Sequence, residues 1–179
     1  AAVAAAKAGA KVVIVERYGF TGGLATTAMV GTICGLFYRN PARASYAVQG
    51  FAREFAEAVQ AKSQTKIFQF AEGLHFLPYR PEAFHQEAVR QLQQAGVYVL
   101  LHGHATSVQA DARQIVSLGI QAGSQVFNIY PAAVVDCTGN AQLSMLAGID
   151  RIREDTYQAG AFVFQVSGLP QIAPEALAL

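Results

Sequence analysis

Cysteine is scarce in this chain of 179 residues: only Cys34 and Cys137 occur, and neither belongs to a Cys-x-x-Cys pair. Two thiols so far apart cannot make a disulfide framework, a usage that fits a reducing cytoplasm. Charge is sparse as well, at 14% of residues against 53% hydrophobic, with a net charge of +1. With no basic run interleaved with aromatics, the chain lacks the field that draws in nucleic acid. No stretch reaches the roughly 18 uninterrupted apolar residues of a membrane-spanning helix. The alanine-rich opening has no basic leader and is interrupted at Lys7, so these residues do not themselves read as a secretory segment. An initiating methionine is also absent, and a helix beginning at residue 1 would feed a strand that has no first strand beside it. The expectation is therefore a piece of a longer protein.

What is present is apolar enough for one good core and the beginning of a second. The balance favours an α/β fold whose sheet is covered on its faces. Residues 1–8 suit a helix, because alanine has the highest helical propensity, and Gly9 supplies its cap. Val12 to Val15 is a β-branched run expected to form a buried parallel strand, followed by a glycine-rich loop from Gly19 to Gly35. The spacing of Val48, Phe51, Phe55 and Val59 predicts a helix over 46–61. Residues 67–77 read as strand or loop, and Pro81 opens a second helix with Phe84, Ala88, Val89 and Leu92 on one face. Gly96 stops that helix before the strand Val97 to Leu101. Short apolar segments at about 104–109, 114–121 and 125–130 predict a β-meander. A further strand is expected over Ala132 to Asp136, returning to the parallel sheet, then a turn at Asp136 to Asn140 and a short helix ending near Gly148. Beyond a polar connection containing Arg151, Arg153, Glu154 and Asp155, Ala161 to Val166 reads as a fresh strand.

Lys11-Val-Val-Ile-Val-Glu16 carries the most chemical information. A helix feeding a buried strand that ends in an acid is the second-strand arrangement of a dinucleotide-binding βαβ unit. A carboxylate at that tip can accept hydrogen bonds from both hydroxyls of an adenosine ribose, each worth about 1.5–3 kcal/mol. A 2′-phosphate in the same place would meet a negative charge. Glycines in the loop that follows allow backbone to approach a ligand closely.

Together, Lys11 to Glu16, Thr21-Gly-Gly-Leu-Ala-Thr26, Val97 to Leu101 and Val134-Val-Asp-Cys-Thr-Gly-Asn140 resemble the FAD-dependent oxidoreductases of the glutathione-reductase-like flavoprotein superfamily, with two dinucleotide-binding units. The resemblance covers about 1–40 and 80–150. It implies a Rossmann-like FAD-binding domain, incomplete here, formed by 1–40 and 80–150 from a parallel sheet and the β-meander. Residues 41–79 would form a helical and loop insertion near substrate, and 151–179 the start of a substrate-facing domain. In such proteins a G-x-G-x-x-G turn places the pyrophosphate on a helix N-terminus. That turn is not in this sequence, and neither is the carboxyl-terminal segment that supplies donors to the flavin, so these residues alone are expected to be inactive. The resemblance assigns Glu16 to the ribose, Arg17 to the flank of the adenosine, and Gly22, Gly23, Ala25 and Thr26 to the pyrophosphate and flavin side, with Thr26 as a hydroxyl donor. Ala105 would hold the adenine edge through its backbone, and Thr138 and Gly139 would close the pocket. Asn140-Ala-Gln142 departs from the more acidic continuation common in the look-alikes.

The implied function is flavin-mediated hydride or electron transfer on a small-molecule substrate, with a separate electron donor or acceptor and no nucleic-acid or membrane partner. Glu16 would serve NAD equally well, which leaves a nicotinamide-binding dehydrogenase domain or a non-catalytic nucleotide-binding module as alternatives. The Gly22-Gly23 and Thr138-Gly139 turns favour FAD. No catalytic residue is assigned. Cys34 is expected to be a buried small hydrophobe rather than a redox thiol. His102 and His104 would share a strand face but fall short of the ligands a metal requires, so no metal is expected. His75, Tyr79 and Arg80 lie in a segment such flavoproteins use near substrate.

Overall fold

The computed structural model describes residues 1–111, 114–152, 155–157, 159–164 and 168. Helix α1 (Ala2–Lys7) leads into strand β1 (Val13–Val15), and helix α4 (Pro81–Gln94) leads into strand β5 (Tyr98–Leu100). The two strands pair in parallel, Val13 opposite Tyr98 and Val15 opposite Leu100. Both helix-to-strand joins use one device. After α1, Gly9 takes φ +91°, its N–H bonds to Ala6 O at 2.9 Å and that of Ala10 to Ala5 O at 3.1 Å. After α4, Gly96 takes φ +68°, its N–H bonds to Gln93 O at 3.0 Å and that of Val97 to Leu92 O at 3.0 Å. This is the Schellman ending, which needs a left-handed residue that glycine adopts without a Cβ clash. Val3, Leu92 and Val97 form the buried core between the two units, with Val12 and Ile14 packed against it.

Between these units lie helix α2 (Leu24–Thr27), strand β2 (Thr32–Ile33), helix α3 (Phe51–Ser63), strand β3 (Phe68–Gln69) and strand β4 (His75–Pro78). The strands form an antiparallel sheet in the order β2-β4-β3. Its core joins Leu36, Ala56 and Leu77, with Ile33, Phe37, Tyr46, Val48 and Ile67 around them. After β5 the chain forms the expected meander, β6 (Gly103–Asp111), β7 (Gln114–Ala122) and β8 (Gln125–Ile129), and then the short helix α5 (Gln142–Leu146).

Several expectations require correction. The helix expected over 46–61 begins at Phe51, because Tyr46 forms an antiparallel bridge with Phe37 and Gly50 turns the chain at φ +63°. Residues 132–136 form no strand. The described parallel strands pair with each other, no strand among the described residues pairs with this segment, and Val135 stays exposed. Residues 161–164 form no strand either, with Phe162 and Phe164 exposed; Gln165 and Val166 lie outside the described residues, as do Arg153 and Glu154. Cys34, expected to be buried, is exposed, lying between the end of β2 at Ile33 and the left-handed Gly35, after which the chain re-enters the core at Leu36. His102 is not on a strand with His104: it occupies the turn before β6 at φ +56°.

Glu87, fully buried on α4, ties α4 to α3. Its carboxylate accepts two bonds from Arg90, one of them at 2.8 Å through Nε, and one from Gln91 at 2.9 Å, with Lys62 of α3 at 4.0 Å. The Arg90 guanidinium holds this carboxyl below the usual range, against the opposing effect of burial. Glu87→Gln removes the charge-assisted bonds and leaves Arg90 and Lys62 facing a neutral amide. We expect it to lower unfolding free energy by about 1.5–3 kcal/mol in urea titration; an unchanged midpoint would remove the pair from the account of stability.

Candidate cofactor site

In open α/β sheets, ligands bind beyond the carboxyl ends of the parallel strands. Glu16 occupies that end of β1. Its N–H bonds to Leu100 O at 2.8 Å and its carbonyl accepts from Gly103 N at 2.9 Å, so its backbone is fixed by β5 and by the start of β6. The side chain is half-buried, and Oε1 accepts from Tyr18 N at 2.9 Å. Oε2 has no hydrogen-bond partner among the described residues, which leaves it free for an incoming hydroxyl. Arg17 beside it is exposed.

The glycine pair follows. Gly22 takes φ +122° and Gly23 φ +55°. A Cβ on Gly22 would lie 2.4 Å from the Thr26 side chain, whereas Gly23 and Gly139 have open space on that side. Gly22 is therefore required by the turn's own packing, and Gly23 and Gly139 present bare backbone. Thr26 Oγ1 lies 3.2 Å from Thr21 O and 3.1 Å from Gly23 O, its one proton shared between them, while Thr27 Oγ1 donates to Gly23 O at 2.7 Å.

The second turn is organised by Asp136, which sequence reading passed over. Oδ1 accepts from Thr138 N at 3.0 Å and Thr138 Oγ1 at 2.7 Å; Oδ2 accepts from Ser144 N at 3.0 Å and Ser144 Oγ at 3.1 Å. Thr138 Oγ1 in turn accepts from Gln142 N at 2.8 Å. The signal was present as an Asp two residues before a Thr-Gly turn, the spacing of an Asx turn. Burial alone would raise this carboxyl, but the four donors from Thr138 and Ser144 outweigh it and bring it down to about 2. Gln142 Nε2 reaches Ala105 O on β6 at 3.5 Å, so α5 carries the Thr138-Gly139 turn to the strand that holds Ala105.

The structure thus links Glu16, Ala105, Thr138 and Gly139 through β6, while Gly22, Gly23, Ala25 and Thr26 are held from α4. Two cavities lie elsewhere. One of about 510 Å³ is lined by Gln114, Ile115 and residues 131–134; another of about 330 Å³ lies beneath Gly19 to Thr21 against His85, Val89 and Leu101. Neither contains Glu16 or the glycine pair. His75 is buried on β4 with its ring against Phe37, Tyr79 donates to Ala25 O at 3.1 Å, and Arg80 bonds to Lys62 O at 2.8 Å. Among the described residues, no three His, Cys, Asp or Glu side chains converge as a metal site, and no helix is long and apolar enough to cross a membrane.

The model of the family described as FAD dependent oxidoreductase matches residues 1–174, and the chain belongs to that family, whose cofactor is FAD. Among solved structures it is similar to THI4 of Thermovibrio ammonificans, with a TM-score of 0.52 and 21% identity over 83% of this chain and 58% of that one. It is also similar to the anhydrotetracycline hydroxylase OxyS of Streptomyces rimosus, with a TM-score of 0.59 and 14% identity over 86% of this chain and 32% of that one. The Diels-Alderase PyrE3 of pyrroindomycin biosynthesis gives a TM-score of 0.51 and 16% identity, over 82% and 31%. At these identities the likeness is one of fold, and the chain spans well under two thirds of each structure. The curated proteins searched contain no match.

Asp136 makes the site's stability depend on pH. Its folded value lies below the ordinary 3.8, so its contribution is complete above that value and is lost as pH falls toward about 2. We expect the unfolding free energy to drop by about 2 kcal/mol across that window through this group. Asp136→Asn should be less stable at neutral pH and lose that part of the acid dependence, as read from urea midpoints at stepped pH. Parallel pH profiles in mutant and parent would refute the assignment.

Proposed function

We propose that this chain is the FAD-holding part of an oxidoreductase that acts on a small molecule and exchanges electrons with a separate donor or acceptor. The observation that carries the reading is Glu16 at the carboxyl end of β1, fixed by backbone bonds to Leu100 and Gly103 and left with a free carboxylate oxygen. When bound, FAD supplies the hydride or electron transfer itself, so the protein's work is to bind and orient it. Glu16 accepts the ribose hydroxyls and Arg17 flanks the adenosine. The Ala105 backbone meets the adenine edge, and Gly139, held by Asp136 through Thr138, admits the cofactor to close backbone approach. Gly22, Gly23 and Ala25 pass along the pyrophosphate and flavin side, where Thr26 acts by fixing the turn.

In this reading residues 1–40 and 80–150 make the cofactor unit. Residues 41–79, which include strands β3 and β4, and 151 onward belong to the substrate-facing region. Two free, exposed cysteines are compatible with a cytoplasmic setting.

The test is FAD binding by the chain and by its Glu16→Ala variant, followed by flavin fluorescence and visible absorbance. Loss of charge-assisted bonds worth about 1.5–3 kcal/mol each should weaken binding by roughly tenfold or more with the circular dichroism unchanged. Equal affinity in the two proteins would take Glu16 out of the ribose role. A chain that binds NAD and not FAD would overturn the reading.

A further inference from the structure

The Gly22-Gly23 turn is flanked by two carbonyls, Thr21 O and Ala25 O, and each receives a hydrogen bond from a side chain far away in sequence. His85 on α4 places Nδ1 3.1 Å from Thr21 O, and Tyr79, just before α4, places its hydroxyl 3.1 Å from Ala25 O. A carbonyl can only accept, so Nδ1 carries the proton, and it does so in the neutral tautomer this requires and in the imidazolium alike.

Both donors are themselves held. Tyr79 is buried, its N–H bonds to Gly31 O at 2.8 Å, and its ring packs on Phe84 at 5.1 Å. The His85 ring meets Phe20 edge-on at 6.1 Å, so the residue before Thr21 also packs against it. Glycine pairs are costly to fix because they lose the most backbone freedom on ordering. Thr26 and Thr27 supply local bonds to Gly23 O, whereas His85 and Tyr79 tie the turn to α4 and to the residue just before its N-cap.

We infer that His85 and Tyr79 are positioning residues that bracket the glycine pair and hold its bare backbone in the conformation that accepts FAD. The effect on FAD rests on the cofactor reading above; the clamp itself does not. His85→Phe keeps a ring and removes the donor, Tyr79→Phe removes one oxygen, and His85→Asn restores an N–H close to the position of Nδ1.

The experiment compares amide hydrogen exchange at Thr26 and Thr27, whose N–H groups bond to Gly23 O and so report opening of the turn, with FAD affinity in the same full chain. Loss of one neutral hydrogen bond should speed exchange at both amides by roughly five- to tenfold in His85→Phe and in Tyr79→Phe. His85→Asn should return it toward the parent rate. FAD binding should weaken in step, with exchange in the β6–β7 ladder unchanged. Unaltered exchange at Thr26 and Thr27 in both Phe variants overturns the clamp whether or not FAD binds. Faster exchange with unchanged FAD affinity overturns the positioning role. A parent chain that does not bind FAD overturns the cofactor reading, while the exchange comparison still decides the clamp.

Discussion

The parallel pairing of Val13–Val15 with Tyr98–Leu100 is the constraint on which the remaining geometry depends. Two strands more than eighty positions apart are brought side by side, so that everything emerging from their carboxyl ends converges. Glu16 is held there by Leu100, and the start of β6 is held by Glu16. Helix α4, which delivers β5, also carries His85, whose Nδ1 lies 3.1 Å from Thr21 O beside the glycine turn. The sheet sets the address of the candidate site, and α4 packs against one of its walls.

Elements whose cause is local were legible from residue order. The helix–glycine–strand units, the proline-started helix and the three-stranded meander each follow from propensity and punctuation that neighbours do not override. Val134 and Val135 failed as a strand despite the right side chains, because ladder bonds come from a partner and propensity cannot supply one. Residues 32–33 succeeded as a strand with little periodic signal, because β4 offers them a ladder. Strand formation is a pairwise property, and pairing is where a single sequence is least informative.

The site divides in the same way. The strand end at Glu16 and the left-handed backbone of Gly22 and Gly23 were readable from residue type and position. The bonds of His85 and Tyr79 to the turn were not, since each reaches atoms whose proximity only the fold creates. Asp136 was readable in part, because its contact with Thr138 is two residues long, but Ser144 reaches it across the start of α5. Thr26 Oγ1 meets the carbonyls of its own turn, contacts that residue order alone did not show.

The identical glycine endings of α1 and α4 have a consequence for how such a chain can diverge. Each fixes the number of residues between the last helical turn and the first paired position, Ala10 to Val13 in one unit and Val97 to Tyr98 in the other. An inserted residue in either join would turn the side chains of the strand that follows to the opposite face of the sheet, and in the first join it would also carry Glu16 away from the strand tips. No such bookkeeping governs the segments that leave the strands. Descendants of this sequence are free to lengthen downstream of each strand, where ligand preference can change, and are held to fixed spacing upstream of it.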